Sequence, residues 1–283
     1  MVVTGASRGI GRAIALHLSN AGMSVFAGVR RAEDGRRLAE AGPPGRIRSL
    51  VLDVADDASI EAARSELESA LAGAGLAGLV NNAGIATTGP LAHVTRAELE
   101  AQFRVNLFGP LLTTRAFLPL LTRARGRIVN IGAANARLAI PLMGALSATK
   151  FGLEAVSDAL RVELRRADVR VSLVEPGMTY AEADKPAFAE HLHAELDAAL
   201  ERLPEDARRY FAPALARWRA FSASALERAA SPETVARRVH HALTARRPRA
   251  RYWCGADAKT AALFGRLAGA GLRDALWRRA LGL

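Results

Sequence analysis

Short apolar runs alternate with amphipathic stretches through the first two thirds of the chain. Residues 1–4, 24–29, 47–54, 79–82, 127–131 and 169–174 are brief and mostly apolar. A glycine-rich turn followed by a helix to about residue 18, then residues 59–71, 96–122 and 142–166, carry apolar positions at helical spacing, the third interrupted near Gly109-Pro110. Short buried-type strands alternating with helices predict a parallel sheet covered on both faces. From 182 to 229 the strand signal disappears. This segment reads as two or more helices divided by Pro204, which suits a first helical position. Ser231-Pro232-Glu233 opens another helix with Ser231 as N-cap, residues 251–254 form a last strand, and 256–281 a final amphipathic helix. With no internal repeat or low-complexity linker, the pattern predicts one α/β domain over 1–283. It has a doubly wound sheet of about seven strands and a helical lid inserted at about 180–229.

Composition narrows this picture in two ways. Cys254 is the single cysteine and has no partner for an internal disulfide, which favours a reducing, cytoplasmic setting. No basic stretch followed by a long apolar run opens the chain, and none reaches the ~20 apolar residues of a membrane span. The formal charge of +11 is carried mostly by arginines that look scattered over the predicted helices. A nucleic-acid binder would gather them in a stripe beside aromatics, so the expected partners are anionic small molecules and not nucleic acid. The basic final helix is expected to pack on the body or a neighbouring subunit and not on a membrane. No metal site is assigned.

The turn TGASRGIG, residues 4–11, joins the first strand to the first helix. Gly5 permits a tight turn, Gly9 clears space for a phosphate, Gly11 lets helix and sheet pack closely, and the helix N-terminus offers N–H groups to an anion. With LDV at 52–54, NNAG at 81–84, VNLFG at 105–109, IVNI at 128–131, SATK at 147–150 and EPG at 175–177, the chain resembles the short-chain dehydrogenase/reductase family, in particular its hydroxysteroid-dehydrogenase-like members. The resemblance covers nearly the whole chain. It implies a Rossmann-type fold and a nicotinamide dinucleotide held by Gly5, Ser7, Arg8, Gly9, Ile10 and Gly11 of the turn. It places Asp53 and Val54 on the adenine, Asn81, Ala83 and Gly84 along the ribose, with Asn81 and Ala83 also holding the central strand, and Pro176, Gly177 and Thr179 by the nicotinamide. Lys150 is implied on the nicotinamide ribose, and Asn106 as the residue that kinks its helix and holds a water. It also implies a homodimer or homotetramer paired through the long helices.

The second strand ends AGVRR, with Arg30 and Arg31 and no carboxylate before Glu33. Arg8 lies inside the turn. Arginine forks suit a 2′-phosphate, so NADP(H) is expected over NAD(H).

The family's reduction uses a tyrosine four residues before the lysine and a serine thirteen residues before the tyrosine. Those positions hold Leu146 and Ala133. The threonine that relatives place four residues after the EPG glycine is Ala181 here. Leucine donates no proton, and a positioned acid contributes typically ~10²–10⁴ in rate. Ordinary ketone reduction is therefore not expected. Three possibilities stay open. One is a repurposed enzyme catalysing cyclisation, isomerisation, elimination or tyrosine-independent hydride transfer, in a setting such as bacterial specialised metabolism. Another is a reductase with a replacement acid, foremost Tyr180. The last is a non-catalytic NADP(H) sensor or partner-supporting protein. The polar candidates are Asn106, Asn135, Lys150 and Tyr180, with Glu182, Asp184, His191 and His193 on the lid. Phe188, Phe211, Trp218 and Phe221 make the lid apolar, which suits a bulky apolar ligand or, as an open alternative, packing of the lid on the body.

Overall fold

The computed structural model describes residues 1–181 and 185–283, apart from the side chain of Arg266. Seven parallel strands lie in the order β3-β2-β1-β4-β5-β6-β7. They are β1 (Val2–Thr4), β2 (Val25–Val29), β3 (Ile47–Val51), β4 (Gly78–Asn81), β5 (Arg127–Ile131), β6 (Arg170–Pro176) and β7 (Arg251–Cys254). Successive side chains of a strand face opposite sides of a sheet, and here they enter two cores. Val3, Ala27, Val80 and Val129 pack against α1 (Gly9–Asn20) and α9 (Pro232–Thr244). Val2, Phe26, Leu79 and Ile128 pack with residues of α3 (Asp57–Leu71) and α5 (Gly109–Arg123). Both faces of the sheet are covered, so the central strands read as unbroken apolar runs and not as alternation.

The other helices are α2 (Ala32–Glu40), α4 (Arg96–Phe103), α6 (Gly144–Glu163), α7 (Lys185–Glu201), α8 (Glu205–Glu227), α10 (Ala256–Leu267) and α11 (Ala270–Leu281). Local chemistry fixes several starts. Asp56 caps α3 by accepting from Ala58 N, Thr95 and Glu98 form a reciprocal capping box on α4, and Ser231 caps α9 as expected. The interruption expected near Gly109-Pro110 is a π-helical turn, Arg104–Phe108, that joins α4 to α5.

Three expectations shift. The charged α2 has no counterpart in the sequence pattern, because its nine residues bury only Gly35 and Leu38. Pro204 is the N-cap of α8 and not its first residue. The final helix is broken at Ala268 and Gly269 into α10 and α11. Helices α7 and α8 share a cluster of Leu192, Leu196, Leu203, Leu215 and Trp218, which continues onto Leu142 just before α6. Among the described residues, no helix is long and apolar enough to cross a membrane.

Candidate active site

Strand order reverses between β1 and β4, and ligands of open α/β sheets bind at such a switch point beyond the carboxyl ends of the strands. The turn from Thr4 to Gly11 lies there. Gly5 and Gly9 have φ of 64° and 55°, a region that costs glycine little. Gly11 is required for space: a Cβ there would lie 2.2 Å from Gly5 O and 2.4 Å from Asn82 Nδ2. Thr4 Oγ1 accepts from the backbone N–H groups of Asn82 (2.9 Å) and Ala83 (3.0 Å). The Asn82 side chain donates back to Thr4 O and Gly5 O. No side chain caps α1, so its first N–H groups remain available to an anion.

A cleft of about 320 Å³ opens over this turn. Gly5, Ser7, Arg8, Gly9, Ile10 and Gly11 form one wall, and Arg30, Asp53 and Val54 the wall beneath the ends of β2 and β3. Ala83 and Gly84 follow β4, with Thr179 and Tyr180 opposite. Sequence reasoning missed Gly28, Asn82, Ile85 and Val105, which also line it. Asp53 Oδ1 is tied to Ala55 N at 2.9 Å, which fixes the carboxylate at the rim.

Several expected residues lie elsewhere. Arg31 leaves the cleft and pairs with Asp34 at 3.0 Å, at the start of α2. Asn81 points into the protein, donating to Asn130 Oδ1 (2.8 Å) and Thr114 Oγ1 (3.1 Å), so it ties β4 to β5 and α5 and does not run along a ribose. Pro176 is buried at the end of β6, and Gly177 abuts Asp257, which accepts from Met178 N at 2.7 Å. Asn135 is buried beside Ser147 and donates toward its Oγ at 3.5 Å, behind α6.

The reactive end centres on Lys150, Asn106 and Gly84. Lys150 is 8 % exposed, and its Nζ donates to Ile131 O at 2.8 Å. Burial lowers its pKa to about 8. A methyl group placed on Gly84 would sit 3.4 Å from Asn106 Oδ1 and 3.9 Å from Lys150 Nζ, so both groups stand just behind the cleft wall. Asn106 uses its amide on Ile85, accepting from N and donating to O at 2.8 Å each. Leu146 precedes Lys150 by one helical turn. The loop at 85–91 crosses the start of α6: Gly89 N donates to Leu142 O, and Leu91 packs where a Gly144 Cβ would point.

Tyr180 caps the opposite side. Its ring stacks on Phe188 with centroids 3.9 Å apart. Burial pushes its phenol above the usual range, with Glu195 adding to the rise and Arg8 opposing it. That makes it a weaker acid than an ordinary tyrosine. The aromatics of α8 are engaged in packing: Trp218 is buried and stacks on Phe221, and Phe211 meets His93 edge-on. His191 is exposed and pairs with Glu195 at 3.3 Å, whereas His193 lines a separate cleft between α7 and α8. Glu182 and Asp184 lie outside the described residues.

The site thus fits a dinucleotide. It has a glycine cradle, uncapped helix N–H groups, two cleft arginines for phosphate, Asp53 for the adenine end, and Lys150 beside Gly84 for ribose hydroxyls. Known proteins agree. The family model for short chain dehydrogenase matches residues 1–191. Human retinol dehydrogenase 5 is 38 % identical over 264 residues, covering 91 % of this chain and 80 % of that protein. Mitochondrial D-beta-hydroxybutyrate dehydrogenase of Bos taurus is 36 % identical over 262 residues, covering 89 % and 75 %. A crystal structure of a short chain dehydrogenase from Burkholderia cenocepacia in complex with NADP superposes with a TM-score of 0.71 at 26 % identity, covering 99 % of this chain and 96 % of that one. A seven-stranded parallel sheet, a nucleotide cleft at its switch point and relatives that span most of the sequence lead to one assignment: the chain belongs to the short-chain dehydrogenase family.

Proposed function

We propose that this protein is an NADP(H)-dependent enzyme that transfers hydride to a bulky apolar small molecule without an enzymic proton donor at residue 146. The observation that carries this reading is Leu146, one turn before the buried Lys150 on α6. With Ala133 two residues beyond β5, the two positions where the family's chemistry calls for hydroxyls carry apolar side chains. Bound NADPH would supply hydride. Lys150 would hold the ribose hydroxyls, and Arg8 and Arg30 the phosphates, including the 2′-phosphate. The NADP in the Burkholderia neighbour supports that choice.

An iminium carbon accepts hydride and is complete as an amine. A conjugated enone accepts hydride at its β-carbon, and water then protonates the resulting enolate. Neither needs the acid that Leu146 lacks. Met143, Leu146 and Leu91 (53 % exposed) lie at the start of α6, Ile85 (40 % exposed) lines the cleft, and these apolar side chains suit an apolar substrate. The lid aromatics contribute less to this than the sequence implies, since they mainly pack the lid. Tyr180 is disfavoured as a replacement acid, because burial makes its proton harder to release. Exposed Phe108, Leu111 and Phe151 support self-association through the α5 and α6 faces.

The deciding experiment follows NADPH oxidation with a cyclic iminium, a conjugated enone and a saturated ketone of equal bulk. The expected result is turnover of the first two and none of the third, with ketone reduction gained by the Ala133→Ser, Leu146→Tyr double variant. Rapid reduction of the saturated ketone by the natural sequence overturns the reading. Substrate consumption with no loss of reduced cofactor replaces it with a non-redox isomerisation, cyclisation or elimination, and cofactor binding with no turnover replaces it with a sensor.

A further inference from the structure

Two arginine-rich runs, LRRADVR at 164–170 and ARRPRAR at 245–251, are far apart in sequence. The fold joins them. Strands β6 and β7 pair in parallel with Leu173 opposite Arg251, Leu173 N donates to Ala250 O at 2.9 Å, and Arg170 donates to Arg246 O. Between the runs lies a groove of about 430 Å³, within the size range of small-molecule sites. Arg161, Arg165, Arg170 and Arg247 line it, with Asp168 as its one carboxylate among the described residues and Pro248 in its wall.

The charges there are poorly balanced. Arg161 is answered by Asp158 at 2.7 Å. Asp168 is exposed and stands 4.0 Å from Arg170 Nε. Among the described residues, the side chains of Arg165 and Arg247 make no ion pair or hydrogen bond. A fifth guanidinium, Arg127, is fixed to Ala242 O at 3.0 Å, and its pKa is lowered by burial and then by the charge of Arg170. Arg165 and Arg247, cations without counter-charges among the described residues, create a field that an anion relieves. The position separates this groove from the nucleotide cleft: it lies where β6 begins, and the cleft lies beyond the strand ends. Seven residues at about 3.3 Å each put the two roughly 20 Å apart.

We propose that this groove is a second anion site, taking a small molecule with two or more linked phosphate groups. Guanidinium forks match phosphate oxygens in pairs, and the two uncommitted forks, Arg165 on one run and Arg247 on the other, suit one phosphate each of a linked pair. No aromatic residue lines the groove, so it lacks the stacking platform of a single-stranded nucleic-acid site.

The test is calorimetric titration of the full-length protein with inorganic tripolyphosphate. It compares the natural sequence, an Arg165→Ala, Arg247→Ala variant and an Arg8→Ala, Arg30→Ala variant, with thermal melts confirming that each is folded. The groove variant is expected to bind at least about tenfold more weakly, as two charge-assisted contacts would predict, and the cleft variant to keep a groove-strength site. An unchanged groove variant, loss that follows Arg8 and Arg30 alone, or no binding by the natural sequence overturns the proposal. Mixed-sequence RNA held through Arg165 and Arg247 while tripolyphosphate is not would also overturn it, and make the face a nucleic-acid surface.

Discussion

The side-chain amide of Asn106 closes both backbone hydrogen bonds of Ile85, accepting from its N and donating to its O at 2.8 Å each. Asn106 can reach because α4 and α5 are joined by a π-helical turn, which places it under the loop after β4. The loop carries Gly84 and Ile85 of the cleft wall. Asn106→Ala leaves two backbone groups to find water, at a cost of about 1–3 kcal/mol. It is expected to lower the urea midpoint and weaken NADPH binding together. Asn106→Asp keeps the acceptor but faces Ile85 O with a carboxylate, so it should fare no better at neutral pH. Unaltered cofactor affinity in both variants would remove Asn106 from the cleft's support.

Arg30 and Arg31 are adjacent, yet only Arg30 reaches the cleft; Arg31 is held by Asp34 at 3.0 Å. Arg30→Ala is therefore expected to weaken NADPH binding by about tenfold, the value of one charge-assisted phosphate contact, and to leave NADH affinity within about twofold. Arg31→Ala should change neither by more than about twofold. Fluorescence titration of both reduced cofactors against the two variants checks this, and equal losses in the two variants would contradict it.

That contrast shows where the sequence is legible and where it is not. Apolar runs located all seven strands, and the Gly5–Gly9–Gly11 spacing located the cleft, because both are properties of a local segment. Which of two adjacent residues faces the cleft depends on where a strand ends and how the chain leaves it. Asn81 and Asn82 divide in the same way: Asn81 crosses to Asn130, while Asn82 braces the glycine turn. Charge follows the same logic. The arginines of 164–170 and 245–251 look scattered along the chain, and only the β6–β7 pairing brings them to one groove. The aromatics of α8 leave two readings open for a related reason, since the ring neighbours of Trp218 and Phe211 are not visible in any local pattern.

Glu175 is 1 % exposed on β6, with Arg137 Nε 3.6 Å from one carboxylate oxygen and, among the described residues, no hydrogen-bond partner for the other. Burial raises its pKa to about 7, Glu154 adds repulsion, and Arg137 and Arg251 offset part of it. In the unfolded chain an ordinary carboxyl of this type titrates near 4.5. Between those values the folded protein holds the extra proton, so stability falls as pH rises from about 4.5 to about 7. The full span corresponds to about 3 kcal/mol. Glu175→Gln mimics the protonated acid. It is expected to raise unfolding free energy at pH 8 by about 1–3 kcal/mol and to have little effect near pH 4.5. Denaturation at the two pH values measures the difference, and a variant less stable at pH 8 would show that the Arg137 attraction outweighs burial.

Lys150 gives the opposite pH window. Burial lowers its pKa from 10.5 to about 8, so below about pH 8 the folded protein carries a desolvated ammonium that donates to Ile131 O. Between about 8 and 10.5 the unfolded chain binds the proton more strongly, and stability rises with pH. The span again corresponds to about 3 kcal/mol, destabilising in full at pH 7. Lys150→Met keeps most of the side-chain volume and removes the charge, at the loss of a hydrogen bond worth about 1–2 kcal/mol. The variant is expected to be as stable as the natural protein or up to about 2 kcal/mol more stable at pH 7, and to lose that advantage by pH 10.5. It should also bind NADPH at least about tenfold more weakly, because the ammonium beside Gly84 is the group placed to hold the ribose hydroxyls. Gain of stability together with loss of cofactor is the signature of a charge kept for function against its own burial cost. A variant that unfolds readily at pH 7 would instead make Lys150 a structural strut for Ile131.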